Sequence, residues 1–385
     1  MAPNKVGLVG LSTGSKVTSW ATLAHLPYLQ SEQGKRYYEI VAVCNSSVES
    51  AKNSVKHFKL PESVRSYGSA EDLAVDPDVE LVVCVVGNES HCKVLLPAIK
   101  AGKDVYTELP LASNMEQMKE LVTLAEQQGV KTMFGSQGQA SPVVHLVKKL
   151  IAEGKIGRPL STTLIGTTVL PLDKALPTSF QILAERKAGA NFATIWFLHS
   201  ITCLFEVFGE LETYDSIMGI DYPTLELMDP SQGGKVVDSI KKECPDNIRL
   251  QGRFESGTLV TYQLRAGEAF PREPGCRWLI NGDEGDILIT NTRGCFDIEH
   301  EGVVIKYKQA GEKETQTIEL PQDDLTDLER PAQNVGRLYE AFAKGEKESY
   351  ADWEVALKRH AFIDEMFQRG DGDRAFGAPA TYRSQ

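Results

Sequence analysis

Residues 5–15 read Lys-Val-Gly-Leu-Val-Gly-Leu-Ser-Thr-Gly-Ser, a short apolar strand that runs into a loop of small residues. A helix-like stretch follows from about Ser19 to Leu29. Working outward, a strand at 39–44 leads into a helical pattern at 47–58. Residues 79–86 (Val-Glu-Leu-Val-Val-Cys-Val-Val) form the continuous apolar run of a strand buried on both faces. A helix at 91–101, a strand at 104–107, a helix at 114–128 and a strand at 130–134 complete the series. Strands alternating with helices at this spacing predict βαβ units and an α/β, doubly wound parallel sheet.

The character changes after Gly135. A helix at 142–153 precedes a strand at 160–169 and an apolar helical segment at 190–208. Alternating runs follow at 211–218, 247–254, 257–265 and 276–290. Within the last, Asn281-Gly282-Asp283-Glu284-Gly285-Asp286 is a turn-rich hexapeptide between apolar arms and reads as a hairpin. Strands at 295–299 and 302–308 are expected to continue it, a polar linker covers 309–330, and 331–368 reads as amphipathic helix. The reading is therefore two domains, a doubly wound domain at 1–135 and an α+β domain at 136–385. The second is expected to carry an open, mostly antiparallel sheet with one wet face, available for oligomerisation as a homo-dimer or higher. A length of 385 residues accommodates both.

Composition narrows the partners. With 41 basic and 53 acidic residues the net charge is −12, which disfavours contact with nucleic acid phosphates. The seven cysteines (44, 84, 92, 203, 244, 276, 295) are scattered, without a Cys-x-x-Cys pair, so a disulfide framework or a metal site is not expected. The longest apolar run, Leu81–Val86, is too short to span a bilayer. No secretory, lipidation or peroxisomal signal is read at either end, and the cytoplasm is the expected compartment.

The loop after the first strand lies where a Gly-x-Gly-x-x-Gly fingerprint would sit, with Gly10 first, Ser12 at the second position, and Thr13 and Gly14 following. Glycine serves there because backbone must approach a pyrophosphate at a helix amino terminus; a serine can still fit and donate a hydrogen bond. The bland alternative is glycines that only make a tight turn. At the end of the second strand stand Cys44, Asn45, Ser46 and Ser47, with Lys52 downstream and no carboxylate before Glu49. Small hydroxyls and a lysine suit a 2′-phosphate better than a diol, so NADP(H) is expected over NAD(H). Ser46 and Ser47 can equally cap the next helix.

Residues 101–112, Ala-Gly-Lys-Asp-Val-Tyr-Thr-Glu-Leu-Pro-Leu-Ala, resemble the Glu-Lys-Pro signature of the glucose–fructose oxidoreductase/inositol dehydrogenase (Gfo/Idh/MocA) family, with Leu109 in place of the lysine. Val85-Val86-Gly87-Asn88-Glu89-Ser90-His91 resembles the family's strand-end loop, and Ile280–Gly285 its second-domain hairpin. The resemblance implies that Val86, Asn88, His91, Glu108 and Gln137 contact a nicotinamide dinucleotide. It also implies that the lysine helps hold the nicotinamide and polarise the reacting group. The family usually places an aspartate four residues before a histidine on one second-domain helix. Here His199 matches the histidine and Ile195 stands at the aspartate position.

Two polar groups expected to face the same reacting atoms are thus replaced. His199 remains the candidate acid/base, helped by Tyr106, Thr107 or a water, with a core histidine as the alternative. Leu109, Gln139, Ile195 and Trp196 would line a more apolar substrate pocket. That implies an NADP(H)-dependent oxidoreductase acting on a small, relatively apolar carbonyl, enone or imine. The double loss, with Trp20-Ala21 and residues 137–142, also resembles a branch of the family that includes the yeast galactose-regulon repressor. There the implied role is a non-catalytic nucleotide sensor with a protein partner. A redox-neutral enzyme reusing the cleft is the third expectation.

Overall fold

Parallel pairing on both sides of the first strand organises the amino-terminal half. The computed structural model describes residues 2–13, 19–168, 170–172, 174–294, 296 and 302–371. Strands β1 (Asn4–Val9), β2 (Tyr38–Cys44), β3 (Arg65–Tyr67), β4 (Leu81–Cys84), β5 (Asp104–Thr107) and β6 (Thr132–Phe134) form one sheet in the order 3-2-1-4-5-6. Every neighbouring pair is parallel. β4 is buried along its whole length, as its unbroken apolar run requires when helices cover both faces.

The order reverses between β1 and β4, and Val9 of β1 lies opposite Cys44 of β2 on one side and Cys84 of β4 on the other. At such a switch point loops diverge and leave a crevice at the carboxyl ends of the strands. Two apolar layers sandwich the sheet. One joins Leu8, Leu26, Tyr28, Tyr106 and Tyr339; the other joins Val82, Leu95, Leu121 and Trp353.

The chain divides into two units. The first takes residues up to Leu146, Phe296, and again Leu320–Lys358; the second takes the rest of the intervening chain and the stretch from Arg359. The return of 320–358 to the first unit is not captured by a single cut at 135/136. Its physical reason is the helix Arg330–Lys344, whose Val335, Leu338, Tyr339 and Phe342 belong to the first unit's core. The amphipathic tail is also two helices, not one. Gly345, at φ 71°, ends Arg330–Lys344, and Ala351 then accepts a hydrogen bond from the Phe134 amide (2.8 Å) before Trp353–Asp371 begins.

In the second unit, β7 (Pro159–Thr167), β9 (Leu211–Gly219), β12 (Asn247–Phe254), β13 (Leu259–Arg265), β14 (Cys276–Gly282), β15 (Gly285–Asn291), β16 (Val304–Gln309) and β17 (Gln316–Ile318) make an eight-stranded sheet. Its order is 17-16-15-14-7-13-12-9, antiparallel throughout except between β7 and β13. The expected hairpin is the β14–β15 turn, where Asn281 faces Asp286 and donates to its carboxylate (2.8 Å). Of the strand expected at 295–299, only Phe296 lies within the described residues. A small sheet of β8 (Leu176–Pro177), β10 (Thr224–Asp229) and β11 (Lys235–Lys241) was not read from the sequence.

One row of directly paired residues runs across the large sheet: Ile217, Arg249, Gln263, Ile165, Arg277, Thr290 and Val304. Ile217, Ile165 and Val304 in that row are exposed. This is the wet face of an open sheet.

Helix Arg330–Lys344 supplies a test of packing against propensity. A Cβ on Gly336 would stand 2.6 Å from Tyr28 Cδ2, and Tyr28 is fully buried and stacked on Tyr339 at 5.3 Å. Helix propensity favours Gly336→Ala by up to about 1 kcal/mol, whereas overpacking a rigid ring costs about 1–3 kcal/mol. Packing should win. The alanine variant is expected to unfold at lower urea concentration than wild type, and a higher midpoint would show that the ring yields.

Candidate functional site

The crevice at the carboxyl ends of β1, β4, β5 and β6 collects most of the first-unit residues singled out in the sequence. Gly10 follows β1 at φ 94°, and any side chain there would collide with the Val85 carbonyl, so glycine is obligatory. The loop is braced from beneath. Asn45 Nδ2 (2.8 Å) and Ser54 Oγ (2.6 Å) both donate to the Leu11 carbonyl, and Thr22 donates to the Ser12 carbonyl (3.3 Å). Ser12 and Thr13 are exposed; Gly14 lies outside the described residues.

At the end of β2, Ser47 caps helix Val48–His57 by accepting from the Ser50 amide (3.1 Å), while Ser46 and Lys52 are exposed. Asn45 thus contributes by fixing the glycine loop, with its amide nitrogen already committed.

On the other side of the switch point, His91 opens helix His91–Lys100 and is 1% exposed. Its Nε2 faces the Val86 carbonyl (3.2 Å) and its Nδ1 the Leu111 carbonyl (3.1 Å). Asn88 donates to Ser113 Oγ (3.1 Å). These bonds fasten the loop after β4 to the loop after β5. Burial holds the His91 pKa below its ordinary value, although the two carbonyls oppose the shift.

Glu108, the first residue beyond β5, is held from two sides. Its Oε1 meets His25 Nε2 (3.0 Å) and its Oε2 accepts from Gln137 Nε2 (2.9 Å). His25 Nδ1 in turn meets the Tyr339 hydroxyl (2.9 Å). His25 is completely buried, while 12% of the Glu108 side chain reaches solvent. Both ring nitrogens of His25 are thereby occupied, one by a hydroxyl and the other by the carboxylate. Gln137 is 1% exposed, and its Oε1 is buried without a hydrogen-bond partner. His25 and Tyr339 were missed in the sequence, because a histidine in an apolar helix and a tyrosine more than three hundred positions away carry no local signal.

Two expected site residues are corrected. Tyr106 is fully buried among His25 (5.1 Å between ring centroids) and Tyr339 (5.1 Å), and burial raises its pKa far beyond the working range. It is a core ring, not a proton donor. Gln139 is 7% exposed and its amide points at the Glu348 carbonyl (3.4 Å), so it is directed into the first unit's own packing. Leu109 is half-buried and packs with the apolar layer containing Val86, Leu95 and Leu111.

The second-unit candidates share one helical run. Ala193–Phe197 is wound as a π-helix, shown by the Phe197 amide bonding to the Phe192 carbonyl and the Leu198 amide to the Ala193 carbonyl. Helix Leu198–Phe208 continues it. Asn191 starts the run by accepting from the Ala193 (3.0 Å) and Thr194 (3.3 Å) amides. Ile195, Trp196 and His199 are half-buried, and Trp196 stacks on Phe192 at 6.1 Å. Where one turn is closed by i→i+5 bonds, the residue four before His199 is displaced from the position straight above it. Five before it stands Thr194, whose hydroxyl donates to the Gly189 carbonyl (2.7 Å).

Among the described residues no cluster of side chains could hold a metal ion, and no helix is long and apolar enough to cross a membrane.

A parallel sheet in this order, a glycine turn at its switch point and polar side chains gathered along one edge define a nucleotide-binding Rossmann protein. Residues 5–136 match the model of the oxidoreductase family with an NAD-binding Rossmann fold (Gfo/Idh/MocA), and residues 142–291 match that of the Gal80p carboxyl-terminal domain. Dehydrogenase aclE of Aspergillus oryzae is 31% identical over 285 residues, covering 74% of this chain and 75% of that protein. The galactose/lactose metabolism regulatory protein GAL80 of Kluyveromyces lactis is 26% identical, over 77% of this chain and 66% of that protein. A crystal structure of a super-repressor mutant of Gal80p from Saccharomyces cerevisiae superposes with a TM-score of 0.83 at 21% identity, covering 96% of each chain. The chain belongs to the Gfo/Idh/MocA family.

The His91 shift has a consequence for stability. An unfolded histidine takes its proton near pH 6.5, whereas folded His91 resists it. The contribution is therefore fully present above that pH and falls as pH drops below it, at up to about 1.4 kcal/mol per pH unit. Urea midpoints measured downward from neutral pH should fall less steeply for His91→Asn than for wild type; parallel slopes would exclude a neutral buried ring.

Proposed function

We propose that the chain binds NADP(H) along the carboxyl edge of the six-stranded sheet and acts as an oxidoreductase. The substrate class is a small, relatively apolar carbonyl, enone or imine. The observation that carries the nucleotide reading is the Gly10 turn at the β1/β4 switch point, where open α/β sheets bind their ligands. The residues suit the group: the backbone from Gly10 to Thr13 would cradle the pyrophosphate, Ser46 and Lys52 would meet the adenine ribose, and Val86, Asn88, His91, Glu108 and Gln137 would hold the nicotinamide half. Exposed Ser46 and Lys52, with no acidic side chain between Cys44 and Glu49, support the 2′-phosphorylated form.

The nicotinamide, when bound, supplies the hydride chemistry. The chain's own tasks are to orient it and to exchange one proton with the substrate. We assign the proton to His199, half-buried on its helix, now that Tyr106 is excluded. Leu109 and Ile195, which replace the signature lysine and the helix aspartate, support an apolar substrate, as does Trp196, next to Ile195 in sequence.

A second reading, a nucleotide-sensing regulator with a protein partner, is favoured by the match of residues 142–291 to the Gal80p carboxyl-terminal domain. Under either reading the exposed Ile217, Ile165 and Val304 on the open sheet support a homo-dimer.

Titration with NADPH and NADH, followed by NADPH consumption with a carbonyl and imine panel, separates the readings. NADPH should bind more tightly than NADH, and His199→Ala should lower any turnover by about a hundredfold or more while leaving nucleotide affinity intact. Turnover unaffected by that change would remove His199 from the chemistry. Nucleotide binding with no turnover across the panel would favour the regulator.

A further inference from the structure

We propose that Glu108 makes the nucleotide site discriminate the oxidised from the reduced nicotinamide, in favour of the oxidised form. The inference rests on the nucleotide-binding reading above and adds the charge state that the site selects.

A doubly wound sheet receives the two halves of a dinucleotide on either side of its switch point. The β1–β3 side carries the Gly10 loop and Asn45. The β4–β6 side carries Glu108, at the carboxyl end of β5, and Gln137, just beyond β6. The two halves of the cofactor differ in what oxidation does to them. The adenine half is unchanged, whereas the nicotinamide ring is a cation when oxidised and neutral when reduced.

Glu108 is placed to sense that difference. Both carboxylate oxygens are met, one by His25 Nε2 at 3.0 Å and the other by the Gln137 amide at 2.9 Å. Donors aimed at both oxygens favour the charged form. His25 is itself fixed by the Tyr339 hydroxyl at 2.9 Å inside a fully buried aromatic cluster, so the carboxylate cannot swing away without leaving that imidazole behind. With 12% of the side chain reaching solvent, the negative charge lies at the crevice surface but mostly out of water. There a cation is attracted far more strongly than in bulk solvent.

Two further features act in the same direction. The neighbouring residue is Leu109, where the family signature has its lysine. The Gln137 Oε1, buried without a hydrogen-bond partner beside the carboxylate, is an acceptor suited to the amide N–H of a carboxamide. The pair therefore offers one acceptor for the carboxamide and one charge for the ring. A site built this way reports the oxidised fraction of the nucleotide pool whether or not the protein turns over.

The test is a titration of the full-length protein with the oxidised and reduced forms of NADP and of NAD, read by calorimetry. Wild type is expected to bind the oxidised form about tenfold or more tightly than the reduced form. Glu108→Gln, which keeps the shape and can keep the Gln137 contact, should bring that ratio close to one. Leu109→Lys, which sets a cation beside the carboxylate, should also diminish it and provides the test should the glutamine variant not fold. Equal or tighter binding of the reduced form by wild type overturns the proposal, as does a ratio that survives both substitutions. Failure of every nucleotide to bind overturns it together with the reading it rests on. Binding without preference overturns it alone.

Discussion

A carboxylate mostly withdrawn from water at the end of a parallel strand has to be met by donors, and much of the first unit follows from that requirement. Leaving such a group unsatisfied costs several kcal/mol. Glu108 obtains its donors from three distant parts of the chain: His25 after the first strand, Gln137 after the sixth, and Tyr339, through His25, from a helix near the carboxyl end. The return of residues 320–358 to the first unit is therefore more than an apolar patch on a finished sheet. It supplies the hydroxyl that orients the imidazole, while the Tyr38 hydroxyl donates to the Tyr339 carbonyl (2.7 Å) and ties the same helix to β2.

The same arrangement changes the meaning of the signature segment. In the sequence, Leu109 stands out as a missing lysine. In the folded unit it packs among Val86, Leu95 and Leu111, and the polar chemistry of the segment has moved one residue back, to Glu108. Tyr106, two residues further back, turns its ring into the core beside His25. Alternation along a strand assigns those two residues to one face and leaves Leu109, past the strand's end, free to join the other layer.

The parallel sheet and the β14–β15 hairpin were legible because each rests on a local pattern: unbroken apolar runs, regular spacing, and a glycine-rich turn. The glycine loop was legible for the same reason, and Gly10 has the positive φ that a turn residue there requires. What could not be read depends on contacts remote in sequence. His25 resembles any core histidine until Glu108 is beside it, and the break at Gly345 was hidden because amphipathic periodicity continues on both sides. The β10–β11 hairpin was missed because β11 is exposed on nearly every residue and carries no apolar alternation.

His25 and His199 each sit at a π-helical turn: His25 ends Ala21–His25, and His199 follows Ala193–Phe197 by two residues. A π turn is an α turn holding one additional residue, and it is preserved only while the chain keeps that residue in place. Removing a single residue from either segment would let the helix close to α geometry, re-aiming the side chains within that turn while those beyond it keep their register. The azimuth of His25 toward Glu108 is thus set by an insertion as much as by a side chain. In relatives, a one-residue gap at these turns would be a sharper marker of altered chemistry than the identity of any residue nearby.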